Sequence, residues 1–279
     1  MTSEPASRPL DDDLLAFYLG LLGVPRRPPS LHALTELVGA HLTRVPFENV
    51  SKLYYRKRLG LQTIPDLKTY LTGVETYHFG GTCYSNNYYL YQLLAGLGYA
   101  VQLCGADMSQ PDVHLVSMVK IEGREYLIDA GYAAPFWRPL PRNLAEDYTI
   151  GLGDDRYVLK PQDATGCSRL ELYRGGVKKH GYLAKPQPRS ISDFEPIITA
   201  SFRTAATFMN ALLLVRFYPG RSVVIHNLTV IESQDTRSTV RALDSRAEVG
   251  PAVEENFGIP RGIVMEAMAE LGQLKDAWN

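Results

Sequence analysis

The stretch HFGGTCYSNNYYLYQLLAGLG, from His78 to Gly98, sets two glycines before a cysteine and then begins a helical pattern. Leu90, Leu93, Leu94 and Leu97 recur at i, i+3, i+4 and i+7, and Gly96 or Gly98 can end the helix. Cys83 therefore falls at a helix entry. The unpaired N–H groups and the dipole there favour negative charge, which lowers a thiol pKa, and the thiolate is the reactive form. Gly80 and Gly81 permit a tight turn and leave room for a substrate to approach the sulfur. The competing reading is a small buried residue at a glycine-rich helix entry, and this stretch alone does not separate the two.

Upstream of it the chain is helical in pattern. LLAFYLGLLGV (Leu14–Val24) stops at Gly23 and Pro25. SLHALTELVGAHL has Ser30 as its N-cap, and PDLKTYLTGV opens with Pro65 in the first helical turn. From Tyr99 the period changes. VQLCGA, VHLVSMVKI, REYLIDAGY, DYTIGL, RYVLKP, SRLELY and KKHGYLA are strands divided by turns such as EG, LGDD and RGG, which fits an antiparallel barrel or sandwich. ISDFEPIITASF is a short helix. NALLLVRF, RSVVIHNL and LTVIES form a further strand set, and IPRGIVMEAMAELG is a helix with Pro260 near its start. The layout is an α+β protein in three segments: helices over 1–98, strands over 99–188 and a mixed α/β part over 189–279.

Hydrophobic residues make up 45% of the 279, enough for a full core. A net charge of −1 argues against nucleic acid or an anionic membrane as the main partner. No apolar run reaches the roughly 18 residues of a membrane helix, and MTSEPASRPLDDD lacks the features of a secretory signal. Three sparse cysteines, Cys83, Cys104 and Cys167, point to a reducing, cytoplasmic compartment. No metal-ligand spacing or phosphate loop is present.

An activated cysteine needs a base brought to it from elsewhere in the chain. Of the six histidines, His114 opens the strand VHLVSMVKI, which turns at Glu122-Gly123 and returns as REYLIDAGY; His78 is not excluded by spacing. A two-residue turn at 122–123 sets Val116 opposite Asp129 and His114 opposite Gly131. His114 and Asp129 then share one face as diagonal neighbours, with Cα atoms roughly 7–8 Å apart, within reach of an imidazole–carboxylate hydrogen bond. Gly131 leaves room beside the ring. Taken alone, Asp129 is also a common turn-capping residue. With Cys83 and His114 it completes a nucleophile, a base and an orienting carboxylate.

These residues resemble the arylamine N-acetyltransferases. Gly80-Gly81-Thr82-Cys83 matches part of that family's Arg-Gly-Gly-x-Cys motif, and Asn87 matches a later Asn. RVPFEN (Arg44–Asn49) is similar to its Pro-Phe-Glu-Asn signature, and the His114–Asp129 spacing is family-like. YLIDAGY with PFWRPL, ATFMNALLLVRFYPGR and ENFGIP extend the resemblance over nearly the whole chain. The resemblance implies Cys83 as acyl-accepting nucleophile, His114 as base and Asp129 as orienting carboxylate. It implies a helical bundle, a β-barrel and an α/β lid, with acetyl-CoA as donor substrate, an arylamine or arylhydrazine as acceptor and no permanently bound cofactor. Phe79 stands where the family usually has Arg, Ser85 where Glu or Gln is common, and Ala133 where Gly is frequent.

Phe47 and Glu48 either line the thiol site or pack and cap a helix end. Tyr132, Phe136 and Trp137 either wall an aromatic acceptor pocket or belong to the core. Arginines at 203, 216, 221, 237, 241 and 246 offer contacts to CoA phosphates or a solvated surface. The expected activity is ping-pong acetyl transfer. Its rivals are an amide synthase using a bulkier acyl thioester, a Cys-His-Asp thiol hydrolase, and a binding protein with a vestigial site.

Overall fold

The computed structural model describes residues 10–277. The first third forms α1 (Asp12–Leu22), α2 (Leu31–Arg44), the short strand β1 (Phe47–Glu48), α3 (Val50–Leu59), α4 (Leu67–Tyr77) and α5 (Cys83–Gly96). Gly23, in the left-handed region at φ 67°, closes α1, and the Ser30 hydroxyl accepts from the Ala33 N–H at 3.1 Å to open α2. Pro65 lies outside α4 rather than in its first turn. Asp66 is the N-cap instead, its carboxylate accepting from the Thr69 N–H at 2.8 Å, a bond proline cannot supply. Apolar faces of α1, α4 and α5 meet through Leu15, Leu19, Leu71, Leu90, Leu93 and Leu94, joined by Val119 and Ile128 of the adjoining sheet. Each such leucine contributes about 1.5–3 kcal/mol by leaving water.

The strands β2 (Ala100–Asp107), β3 (His114–Ile121), β4 (Arg124–Ile128), β5 (Leu140–Pro141), β6 (Tyr148–Leu152), β7 (Asp155–Leu159), β8 (Ser168–Arg174) and β9 (Val177–Pro188) make one antiparallel sheet in the order β5-β4-β3-β2-β9-β8-β7-β6. Its edges, β5 and β6, do not pair with each other, so the expected antiparallel barrel takes the form of an open half-barrel. Irregularities at Cys104/Ala106 and Leu172/Tyr173 interrupt its ladders, the kind of break that bends a strand.

The last segment holds α6 (Glu195–Ala200), β10 (Leu213–Tyr218), β11 (Arg221–His226), β12 (Thr229–Gln234), β13 (Arg237–Ala242), α7 (Val249–Phe257) and α8 (Arg261–Met268). The second sheet runs β1-β10-β11-β12-β13. Its first strand comes from the N-terminal third, with Phe47 paired to Val215 and Glu48 to Leu214. The first and last segments thus share a sheet, and this tie carries the residues before Cys83 to the C-terminal strands. Among the described residues no helix is long and apolar enough to cross a membrane.

Candidate active site

Cys83 is the first residue of α5 and is half-buried. Neither preceding glycine has a positive φ. Their requirement is close packing: a Cβ on Gly80 would lie 1.8 Å from the Pro46 carbonyl oxygen, and one on Gly81 would lie 2.7 Å from the Ser85 Cβ. The segment Pro46–Glu48 runs directly against them, with the Glu48 N–H donating to the Gly81 carbonyl at 3.0 Å. The Glu48 carboxylate, fully buried, accepts from the Gly80 N–H at 3.0 Å and the Ser51 N–H at 2.8 Å. Burial pushes its pKa above the usual range, and those hydrogen bonds oppose the shift. Asn49 ties the same segment to the second sheet, donating to the Phe208 and Ala211 carbonyls and accepting from the Leu213 N–H at 2.9 Å. Phe79 packs edge-on to Tyr54 and Tyr55 and beside Tyr77, so an aromatic cluster stands where the family resemblance leads one to expect a cation.

The hairpin has the expected register, Ser117 facing Ile128 and Ile121 facing Arg124. Glu122 and Gly123 both have positive φ, as a two-residue type I′ turn requires. His114 Nε2 and Asp129 Oδ2 lie 2.9 Å apart, both groups buried. Asn87, one turn beyond Cys83 on α5, donates from Nδ2 to Asp129 Oδ1 at 2.8 Å and to the Leu115 carbonyl at 2.6 Å, while its Oδ1 accepts from the Ala130 N–H at 2.7 Å. The Gly131 N–H also donates to Asp129 Oδ1, at 3.0 Å. The space at Gly131 serves this docking rather than the imidazole: a Cβ there would come within 2.7 Å of the Cys83 Cα.

Burial alone would lower the His114 pKa. The Asp129 carboxylate, with a smaller contribution from a hydrogen bond to Cys83, overcomes it and raises the value to about 10. Burial pushes the Asp129 carboxyl up, but His114, Asn87 and the Gly131 N–H hold it below 3.8. The imidazole thus sits between a carboxylate that favours its charged form and a thiol, an arrangement suited to passing a proton.

Cys83 and His114 open onto a cavity of about 640 Å³ between the half-barrel and the second sheet. Phe47 and Tyr132 line it, as do Lys52, His180 and apolar residues of β10–β12 such as Val215, Phe217 and Ile231. Phe136 does not share that position. It is 1% exposed and stacks behind Tyr132, ring planes 4° apart, within the half-barrel core. Sequence reasoning passed over His180, whose ring stacks on Tyr132 and whose Nδ1 lies 3.0 Å from the Tyr132 hydroxyl. It also passed over Lys52, which sits outside any motif. His78 is an exposed left-handed cap at the end of α4, leaving His114 as the histidine beside the thiol. Arg216 and Arg246 are engaged by backbone carbonyls of Thr43 and Phe257, and of Leu271 and Gly272. Among the described residues no group of His, Cys, Asp and Glu is arranged to hold a metal ion.

A family model described as N-acetyltransferase matches residues 30–263. Human arylamine N-acetyltransferase 2 is 28% identical over 198 residues, covering 62% of this chain and 66% of its own length, so the chain spans just under two thirds of that relative. The solved arylamine N-acetyltransferase of Nocardia farcinica superposes with a TM-score of 0.77 at 26% identity, covering 95% of this chain and 97% of the other. That of Mycobacterium marinum, determined in complex with CoA, gives 0.75 at 20% identity over 92% of this chain and all of the other, a likeness of fold.

Proposed function

We propose, on the premise that the chain belongs to the arylamine N-acetyltransferase family, that it moves an acetyl group from acetyl-CoA to the nitrogen of an arylamine or arylhydrazine through a thioester on Cys83. The observation that carries this reading is the buried His114–Asp129 pair at 2.9 Å, set against a thiol at the first position of α5. Asp129 occupies Nε2, which leaves Nδ1 to exchange a proton with the sulfur. In the first half-reaction the thiolate attacks the thioester carbonyl. The bond from that carbon to the CoA sulfur breaks, and CoA leaves as a thiol with the proton His114 held. In the second, the amine nitrogen attacks the acetyl carbon, passes a proton to His114 and displaces the Cys83 thiolate. Asp129 keeps the ring oriented throughout and stabilises it whenever it carries the proton. Phe47 and Tyr132 are the aromatic walls against which an aryl acceptor would stack. The CoA-bound state described for a structural neighbour supports the donor.

The test is intact-protein mass spectrometry. With acetyl-CoA alone the chain should gain one acetyl group and release about one equivalent of CoA. An arylamine should then restore the free thiol, and Cys83→Ala should show neither step. Continued CoA release without amine would favour a hydrolase. The cavity of about 640 Å³ exceeds what an acetyl group fills, and this favours as second reading an amide synthase with a bulkier acyl thioester. Acylation by such a thioester, with none from acetyl-CoA, would select it.

A further inference from the structure

Lys52, the third residue of α3, lines the same cavity as Cys83. Its Nζ donates to the carbonyl and to the hydroxyl of Ser201, each at 2.8 Å, and lies 4.2 Å from the centre of the Phe202 ring. The Ser201 hydroxyl donates its own proton to the Ile198 carbonyl, so it is fixed as an acceptor. These contacts use two of three ammonium donors and supply no negative charge. Among the described residues no carboxylate lies within ion-pair distance of Nζ. The other strong cation of the cavity, Arg174, is already engaged by both oxygens of Asp155, and the His114 imidazolium by Asp129.

A desolvated ammonium without a counter-charge is costly to maintain. Burial accordingly lowers its pKa to about 8, with the Cys83 sulfur acting in the opposite sense and Arg56 adding to the fall. Lys52 and Cys83 line one cavity, so the ammonium belongs to the same space as the atom that would carry the acyl group. Capping the end of α6 accounts for the Ser201 contacts. The Phe202 ring covers a further side of the ammonium, but neither the cap nor the ring supplies an anion, and Lys52 lines the cavity that Cys83 opens onto.

We propose that Lys52 binds a substrate carboxylate, so that this site prefers a substrate bearing one, foremost on the acyl group carried by CoA as in a short dicarboxylic half-thioester. The inference rests on acyl transfer at Cys83 for its setting, but ligand binding tests it separately. The same chemistry has a second source, a carboxylate on the aryl acceptor, and the arms below distinguish them.

In the first arm, initial rates of Cys83 acylation are compared for malonyl-CoA, succinyl-CoA and acetyl-CoA. In the second, deacylation is compared for 4-aminobenzoate and aniline. Wild-type protein should prefer the carboxylate member in one arm, and Lys52→Met should reduce that preference about tenfold or more, the scale of a charge-assisted hydrogen bond. Lys52→Arg should restore part of it. The arm that responds identifies the source. A third measurement does not require turnover: calorimetric titration of the Cys83→Ala protein with malonyl-CoA, acetyl-CoA and 4-aminobenzoate, with and without Lys52→Met. If no thioester acylates Cys83, the transfer reading fails, while tighter carboxylate binding that depends on Lys52 still upholds this one. Equal preference in every arm, or a preference unchanged in a folded Lys52→Met protein, overturns it. Should that variant not fold, the wild-type comparisons decide alone.

Discussion

Asn87 holds Asp129 from the far side of His114: its Nδ2 lies 2.8 Å from Oδ1, while the imidazole takes Oδ2 at 2.9 Å. One side chain thus locks the carboxylate to the same helix that carries the thiol. Asn87→Ala would leave the Leu115 carbonyl and the Ala130 N–H without their side-chain partner in a buried site. The expected cost is about 2–6 kcal/mol of unfolding free energy, from two unmet groups at about 1–3 each. Urea midpoints measure it, and a variant as stable as wild type would show that Asn87 is dispensable.

Asp129→Asn tests the charge more than the shape. The amide can still bond to Nε2, but it no longer stabilises the imidazolium, and its NH₂ competes with that of Asn87 for the same space. Acylation of Cys83 should slow by about 10²–10⁴-fold with little change in far-ultraviolet circular dichroism. Single-turnover release of CoA is the measurement; a loss under tenfold would remove Asp129 from the mechanism.

The same pair makes stability depend on pH with a definite sign. His114 titrates near 10 folded against 6.5 in the free side chain, so its contribution is full below about 6.5 and is lost as pH rises through about 10. Asp129 is shifted below 3.8, so its contribution is present above that value and is lost on further acidification. The stability gap between wild type and a His114→Gln, Asp129→Asn double variant should therefore be widest between about pH 4 and 6.5. Guanidinium titrations across pH decide it: a gap that grows from neutrality to about pH 10 contradicts the assigned charges.

Thiol selectivity follows from burial. Cys104 is fully buried and burial pushes its thiol up to about 12, Cys167 is 8% exposed, and only Cys83 opens onto the cavity. Limited iodoacetamide at mildly acidic pH, followed by peptide mapping, should label Cys83 well before the other two. His114→Gln should slow that labelling by about tenfold or more as the thiolate loses its cation. Equal labelling of all three in the folded protein would count against an activated Cys83.

The parts of this arrangement visible in the sequence are those whose cause is local. The turn at Glu122-Gly123 sets the hairpin register by its length alone, and with it the meeting of His114 and Asp129. Helices α1 and α2 announce themselves by apolar spacing and by Gly23 and Ser30. Helix α3 does not, because its final turn is Arg56, Lys57 and Arg58 and its buried face is short; those charges favour a helix C-terminus but break the apolar period. Strand β13 is nearly all exposed, Val240 at 69%, so no alternation marks it. Gly80 and Gly81 look like turn residues until Pro46 is seen packed against them. Whether Tyr132 or Phe136 faces the cavity depends on how the chain leaves β4 after Ile128, and Lys52 acquires its setting from Ser201, 149 positions away.

Ala133 offers a test of backbone strain beside the site. It lies at φ 60°, the left-handed region, directly after Tyr132 and on the cavity wall. A side chain there costs about 1–2 kcal/mol relative to glycine. Glycine in turn lowers stability by about 0.4–1 kcal/mol through the freedom it gives the unfolded chain. The difference leaves Ala133→Gly more stable by about 0.5–1 kcal/mol, a rise of roughly 1–3 °C in Tm for a chain of this size. The opposing contribution is contact, since the Ala133 methyl packs at the edge of the cluster formed by Leu42, Phe47 and Phe217. A single methyl at the rim of a cavity has few partners to lose, so strain relief should win. Differential scanning calorimetry of the two proteins settles the sign, and a lower Tm for Ala133→Gly would mean that the contacts of that methyl outweigh the strain of its backbone.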